Sequence, residues 1–391
     1  MDIKQVYQIA NDITTEVLGK SNLLTEDLTN IVDVGKEIFD NVSYDKYVQS
    51  LCDHIGRVVF VDRTYEGTSA ELKRDSWEYG AVMEKVYETE LPEAVENESW
   101  NLTDRASYDP NVFNKPKVAA KFYNKRTTFE VDRSLTDMQV KSAFSNPGQL
   151  NAFFSMLSSN TQKALTIKTD ALAERTINYL ILNTVNSAFP SVSNNNYSSM
   201  TSVKAVNLLY MYNQAYSKSL TAAAAVIDPD FIRFAAYQMS LGVNRLKKVS
   251  TLFNAGAIER FTPVSLQHII LHADFKAAAD VFLQSDVFHD EFTRLPSATS
   301  VPYWQGSGLD YGFSSTSTIK GTIDVAGTPK SITMSGVLGV IFDHDAAGIV
   351  CENSRVTTQY NPKAEFTNWF YKEDAGYYID SNENAIVYYV Q

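Results

Sequence analysis

Cysteine is almost missing from this 391-residue chain: Cys52 and Cys351 are the only two. A disulfide framework is therefore excluded, and the pair points to a cytosolic history in which lone cysteines serve as small apolar residues. Histidine is nearly as scarce, at five residues, so few imidazole bases or metal ligands are on offer. No run approaches the roughly 18 apolar residues of a membrane-spanning helix. The first residues, Met1-Asp2-Ile3-Lys4-Gln5-Val6, contain no apolar core of signal-peptide length. The expectation is a protein neither secreted by the usual route nor embedded in a membrane, with no N-terminal propeptide removed. Positive charge is short as well: the net charge is −12 and the isoelectric point about 5.0. That argues against a broad surface built to neutralise phosphates.

The motifs of common catalysts are also lacking. His268 and His272 are four apart, but Ile269 stands where a zinc-protease motif needs Glu. Asp343-His344-Asp345 reads as a polar turn closing a strand. Asp380, Asn382 and Asn384 match the first half of a calcium loop. Ala385 replaces its obligatory Gly and Gln391 its bidentate Glu, so the segment reads as a β-turn. Gly306, Gly308 and Gly312 miss the dinucleotide fingerprint by one position. Neither a P-loop nor a Gly-x-Ser-x-Gly elbow occurs. The reading is a non-enzyme, with no catalytic residue, no cofactor and no metal.

What is present is a composition for folding. Hydrophobic residues make up 44% and charged residues 20%, ordinary values for a globular chain long enough for two or three domains. The most telling stretch lies between Gln149 and Ala188, which holds no Gly or Pro, with Pro147 and Gly148 before it and Pro190 after it. Proline fits at the first turn of a helix or beyond its end, so the interval predicts one helix on the order of 55–60 Å long. Leu150, Phe154, Leu157, Ala164, Leu165, Ala171, Leu172 and Leu182 would form one buried stripe. A break near 158–161, giving two shorter helices, is the alternative.

Around that rod the chain alternates. Residues 1–50 carry two amphipathic helical patterns, the first with Ile3, Val6, Ile9 and Ile13 on its apolar face. Strand-like pieces at 58–61, 86–91 and 118–131 enclose a stretch poor in apolar filling, which predicts a long two-stranded excursion needing a neighbour to rest against. Its charge is segregated. Glu84, Glu88, Glu90, Glu93, Glu96 and Glu98 form an acidic limb, whereas Lys115, Lys117, Lys121, Lys125 and Arg126 form a basic one. After the rod, 191–202 is a polar connector and a domain boundary. Beyond it the pattern predicts a helix over 203–218, a short strand over 222–227, and a helix over 231–241 capped by Asp230. Strands are expected at 269–271, 336–342, 355–360, 364–371 and 385–390, with a further element at 277–282. Helix and strand in alternation indicate an α/β domain with a small sheet, and no solenoid repeat is visible.

This order resembles that of the major capsid proteins of tailed bacteriophages, the Hong Kong 97 fold. The likeness is also local. Ala279-Asp280-Val281-Phe282-Leu283-Gln284-Ser285-Asp286, Phe288-His289-Asp290-Glu291-Phe292 and Val301-Pro302-Tyr303-Trp304-Gln305-Gly306 are similar to segments of capsid proteins from phages of Gram-positive hosts. So are Gly339-Val340-Ile341-Phe342-Asp343 and Tyr360-Asn361-Pro362-Lys363-Ala364-Glu365-Phe366-Thr367-Asn368. The resemblance implies an α+β fold with an N-terminal arm (1–57), an extended β-hairpin loop (58–126), a peripheral domain with the spine helix (127–190 and 346–391) and an axial domain (191–345). It implies a structural protein that self-assembles as hexamers and pentamers into an icosahedral head shell around double-stranded DNA, bound without sequence specificity. A virion location, assembly in the host cytoplasm, a separate scaffolding protein and a portal follow as expectations. The implied contacts between subunits are Ile3, Val6, Ile9 and Ile13 of the arm, Glu84, Glu88, Glu90 and Glu93 of the acidic limb, and Lys115, Lys117, Lys121 and Arg126 of the basic limb. Two alternatives stay open: a nanocompartment shell enclosing cargo enzymes, and a glycan-acting hydrolase using the 84–98 carboxylates.

Overall fold

The computed structural model describes residues 11, 15, 72, 74, 83–111, 113–136, 147–284, 298–304, 317–325 and 327–391. Readings that fall on the arm, on 58–61, on 286–292 and on Gly306, Gly308 and Gly312 lie outside them. The chain divides into two compact units. One takes in 125–173 and 349–376, and the other 78–124, 174–348 and 377–391.

The rod is real and unbroken: α1 runs from Pro147 to Ala188, 42 residues in one helix. Its residues through Ala173 belong to the first unit and those from Glu174 to the second. The expected single stripe needs correction. Ala171 is exposed, and buried threonines complete the seam: Thr161, Thr169, Thr176 and Thr184 alternate with Leu165, Leu172, Ile177 and Leu180. A buried hydroxyl needs a partner, and the helix provides one, since Thr169 Oγ1 donates to the Leu165 carbonyl and Thr184 Oγ1 to that of Leu180, each at 2.9 Å. From Leu180 to Leu182 three consecutive residues are buried, so the C-terminal half is covered on several sides rather than on one face.

In the first unit, β3 (Arg126–Thr136), β10 (Ala347–Asn361) and β11 (Phe366–Ile379) form a sheet in the order β10, β11, β3. Strand β11 alternates cleanly, with Thr367, Trp369, Tyr371, Glu373 and Ala375 turned inward. On the outer face cross-strand pairs close the ladder: Lys372 meets Glu130 at 3.1 Å, Thr128 donates to Asp374 at 2.7 Å, and Arg355 reaches Asp374 at 2.6 Å. The Asn361-Pro362 turn appears where expected, because the Asn361 side chain accepts from the Lys363 and Ala364 amides.

The second unit is built on a five-stranded sheet. In chain order its strands are β4 (Ala205–Asn207), β5 (Gln267–His272), β6 (Thr299–Val301), β9 (Val337–Asp343) and β12 (Ala385–Tyr389), placed in the sheet as β4, β12, β9, β5, β6. Strands β9 and β12 are buried along their whole lengths, as expected of central strands covered on both faces. Helices α2 (Leu208–Tyr216), α4 (Pro229–Leu246) and α5 (Ala273–Gln284) pack Leu208, Tyr212, Phe231, Met239 and Phe275 against the sheet. A hairpin of β7 (Ile319–Val325) and β8 (Thr328–Met334) crosses the C-terminal half of α1. There Gly321 leaves room for Leu182, and Lys330 donates to Asn186 at 2.9 Å.

Three local readings change. The expected helix over 203–218 begins with β4 and becomes helical only at Leu208, where Asn207 caps α2 by accepting from the Tyr210 amide. The expected strand at 222–227 is the short helix α3 (Ala222–Ala225), because Thr221 caps a run of alanines. Helix α4 is capped by Asp228 rather than Asp230, since Pro229 takes the first helical position and Asp230 falls inside the first turn.

Candidate functional site

The excursion between residues 83 and 123 is a two-stranded antiparallel ribbon, β1 (Met83–Glu88) and β2 (Val118–Tyr123). Period-2 alternation gives it two unlike faces. Lys85, Tyr87, Lys121 and Tyr123 point one way, while Glu84, Val86, Glu88, Val118 and Phe122 point the other and are exposed. In the register Lys85 lies directly opposite Lys121. Like charges at that spacing repel, so the pair requires an anion.

The anion is Asp380. It sits in the turn between β11 and β12 with its side chain fully buried. Its two oxygens divide the lysines: Oδ2 accepts from Lys85 at 3.0 Å and Oδ1 from Lys121 at 2.8 Å. Lys85 also donates to Glu383 at 2.6 Å, and Arg260 lies 3.4 Å from the same carboxylate. The guanidinium of Arg260 covers the Tyr87 ring at 5.4 Å, and Asn382 donates to the Tyr87 hydroxyl at 2.8 Å. The ring of Tyr123 stands 5.5 Å from that of Tyr378. The turn, with Arg260 and Tyr378 beside it, thus holds Lys85, Tyr87, Lys121 and Tyr123.

The charges respond to this geometry in different directions. Burial raises the Asp380 carboxyl, but the bond from Lys121, the charge of Lys85 and the Asn382 amide outweigh it and hold the group below its ordinary value. Burial wins at Glu383, which is raised despite Lys85 and Arg260. For Lys85, burial opposes the ammonium, yet Glu383 and Asp380 raise it above its ordinary value. Burial, followed by the Asp380 charge, pushes the Tyr123 phenol well up. The arrangement fixes the direction in which the ribbon leaves the unit.

Beyond the anchor the ribbon ends in an irregular tip over residues 89–111 and 113–117, pinned at its base by the Thr89 amide on the Lys117 carbonyl at 2.9 Å. Apolar side chains stand out from it: Trp100 is 94% exposed, Phe113 83%, Val95 79% and Leu102 65%. No other part of the described chain covers these side chains.

Of the twelve residues named from sequence as contacts between subunits, Ile3, Val6, Ile9 and Ile13 lie outside the described residues. Glu84, Glu88, Glu90 and Glu93 are exposed along the ribbon's outer edge and tip, as is Lys115, whereas Arg126 is the exposed first residue of β3 in the other unit. Lys117 pairs with Glu90 at 2.5 Å, and Lys121 is engaged by Asp380, both within the chain. Sequence reasoning missed Lys85, hidden in the acidic limb, and also Asp380, Glu383 and Arg260. The signal for Lys85 was present: it is the one cation between Glu84 and Glu98, placed on the opposite strand face from Glu84, Glu88 and Val86. The histidines do not share a helix face. His268 and His272 lie on β5, and His268 bonds His344 at 2.9 Å. Among the described residues no cluster of three or more metal-ligating side chains occurs, and no helix is long and apolar enough to cross a membrane.

Comparison with known proteins gives three findings. The family model of the Phi29-like phage major capsid protein matches residues 9–389. The major capsid protein of Bacillus phage GA-1 is 25% identical over 168 residues, or 40% of this chain, and the match spans 33% of that curated relative's length. Among solved structures, a chain in the capsid structure of Staphylococcus phage Andhra superposes with a TM-score of 0.50 at 10% identity, covering 83% of this chain and 84% of that one. At such identity the superposition establishes a shared fold and nothing finer.

Proposed function

The chain belongs to the Phi29-like phage major capsid protein family and has the α+β, Hong Kong 97-like capsid fold, and from that premise we propose that it builds the icosahedral head shell enclosing a double-stranded DNA genome. The observation that carries this reading is the family match along 9–389. The exposed apolar tip of the ribbon supports it, because such a surface needs a partner.

In this reading hexamers and pentamers form through heterologous contacts that close into rings. The arm (1–57) clamps a neighbour with Ile3, Val6, Ile9 and Ile13. The extended loop (58–126) offers Glu84, Glu88, Glu90 and Glu93 on its outer edge, with Lys115 and Arg126 on the basic limb. The peripheral domain (127–190 and 346–391) and axial domain (191–345) form the body of the subunit. Lys117 and Lys121 hold the ribbon and act in assembly through its position. Each exposed ion pair is worth about 0.2–1 kcal/mol, so assembly strength comes from repetition over many copies. The net charge of −12 leaves DNA enclosed without specific binding. A separate scaffolding protein and a portal complete the assembly in the host cytoplasm, and the chain has no enzymatic role.

Negative-stain electron microscopy of the expressed full-length chain tests the reading. Closed shells or capsomer rings are expected. A monomeric 43.7 kDa species under every condition, including with a scaffolding partner present, overturns it.

A further inference from the structure

The second unit holds a cavity that the building of a shell leaves without a task. We propose that this cavity, between α4 and residues 201–206, binds a small carboxylate whose body is apolar and about the size of one substituted ring. Such a site is separate from contacts between copies and does not depend on them.

The walls set the body of the ligand. Val203, Val206, Met211, Phe253 and Ile386 bound a volume of about 300 Å³, at the lower end of the range for small-molecule sites. Phe253, Ile386 and Tyr388 are also members of the buried core, so the back of the cavity is fixed by packing before any ligand arrives. Gly242 lets Tyr388 lie against α4: a Cβ at 242 would stand 2.0 Å from the Tyr388 hydroxyl. That hydroxyl donates to the Gln238 carbonyl at 3.4 Å, longer than an ordinary O–H···O bond. A closer acceptor inside the cavity can take it.

The charge sets the other end of the ligand. Arg245, in the last turn of α4, is the one charged side chain among the described residues that line the cavity. No carboxylate of the described residues pairs with it, although acidic residues outnumber basic ones by 46 to 34 in the chain. The sequence keeps them away: no Asp or Glu occurs between Asp230 and Glu259. Exposed Lys247 and Lys248 follow Arg245, and the bond Lys247 makes is to the neutral Asn244 side chain at 2.8 Å. A guanidinium without a counter-ion, flanked by two ammonium groups, attracts an anion, and its planar fork suits a carboxylate that accepts two parallel bonds. Apolar walls behind such a group select an acid with an apolar body.

Saturation-transfer NMR on the full-length chain tests the site, because it reads binding to a single subunit and to an assembled particle alike. The probes are 3-phenylpropionate and its neutral counterpart, 3-phenylpropan-1-ol. Saturation is expected to reach the ring protons of the acid, with an affinity about tenfold higher than that of the alcohol, the worth of one hydrogen bond to a charged group. Arg245→Gln is expected to bring the acid down to the level of the alcohol and to leave the alcohol unchanged. Val203→Trp, at a wall position that is 42% exposed, is expected to fill the cavity and to abolish transfer to both probes. Both substituted side chains are exposed, so wild-type melting temperatures are expected. Where Val203→Trp fails to fold, Arg245→Gln decides. No transfer to the acid, equal affinity for acid and alcohol in the wild type, or an unchanged acid affinity in Arg245→Gln overturns the site. A chain that binds the acid but never assembles overturns the shell reading and leaves the site standing.

Discussion

At the scale of single residues, Asp380 decides whether the ribbon is held. Two lysines facing each other across a strand pair are unfavourable, and one fully buried carboxylate between them reverses the sign. Asp380→Asn is expected to destabilise the protein by about 2 kcal/mol, less than the roughly 3–5 of a fully buried pair because both lysines keep some contact with solvent. Urea denaturation checks this, and an unchanged midpoint would contradict it. A second residue-scale expectation concerns Gly336, whose φ is +69 and where a Cβ would stand 1.9 Å from the Val390 carbonyl oxygen. Gly336→Ala should cost about 1–3 kcal/mol from the backbone conformation alone, with the clash adding to it. A melting temperature equal to wild type would contradict that account.

At the scale of elements, the ribbon's hold should depend on pH in a definite direction. Asp380 is held below its ordinary value, so its contribution is full above the ordinary carboxylate range and is lost as pH falls through its lowered folded value. Lys85 is raised, so its contribution is full below the ordinary lysine range and is lost as pH rises through its raised value. Glu383 is also raised and works the other way from Asp380: its contribution is fullest below the ordinary glutamate range and declines as pH rises through its folded value. Protection factors of the β1 and β2 amides, corrected for intrinsic exchange, should therefore fall below about pH 4 relative to neutral pH while those of β9 and β12 hold; equal protection of β1 and β2 in acid and at neutral pH would contradict this. The same elements show what a sequence reveals. Helix α1 was legible because an interval without Gly or Pro between two prolines has few other solutions. Its buried threonines were not, since their burial rests on bonds to the carbonyls four residues back. The run at 222–227 was misread as a strand because its apolar character was weighed above the helix propensity of alanine and the cap at Thr221. A two-stranded excursion was anticipated from strand-like pieces around a stretch poor in apolar filling, though the pairing of Met83–Glu88 with Val118–Tyr123 was not. Nor was its anchor, because Lys85 and Asp380 are 295 residues apart and no local pattern joins them.

At the scale of the whole molecule, the family match and the fold place the chain among phage capsid proteins, and the acidic ribbon with its bare aromatic tip is the part that makes sense only in company. Replacing residues 91–113 by a short Gly-Ser turn is expected to leave the melting temperature within a few degrees, because the described side chains of this segment are exposed, and to abolish particles. Loss of folding in that variant would show the tip to be part of the core.

The most direct measurement is a cryo-electron microscopy reconstruction of assembled particles at side-chain resolution. The account predicts that the ribbon leaves its own subunit at the Asp380 junction and that its tip, with Trp100, is covered by an adjacent copy. A map in which the ribbon folds back on its own subunit and Trp100 touches no other chain would contradict it.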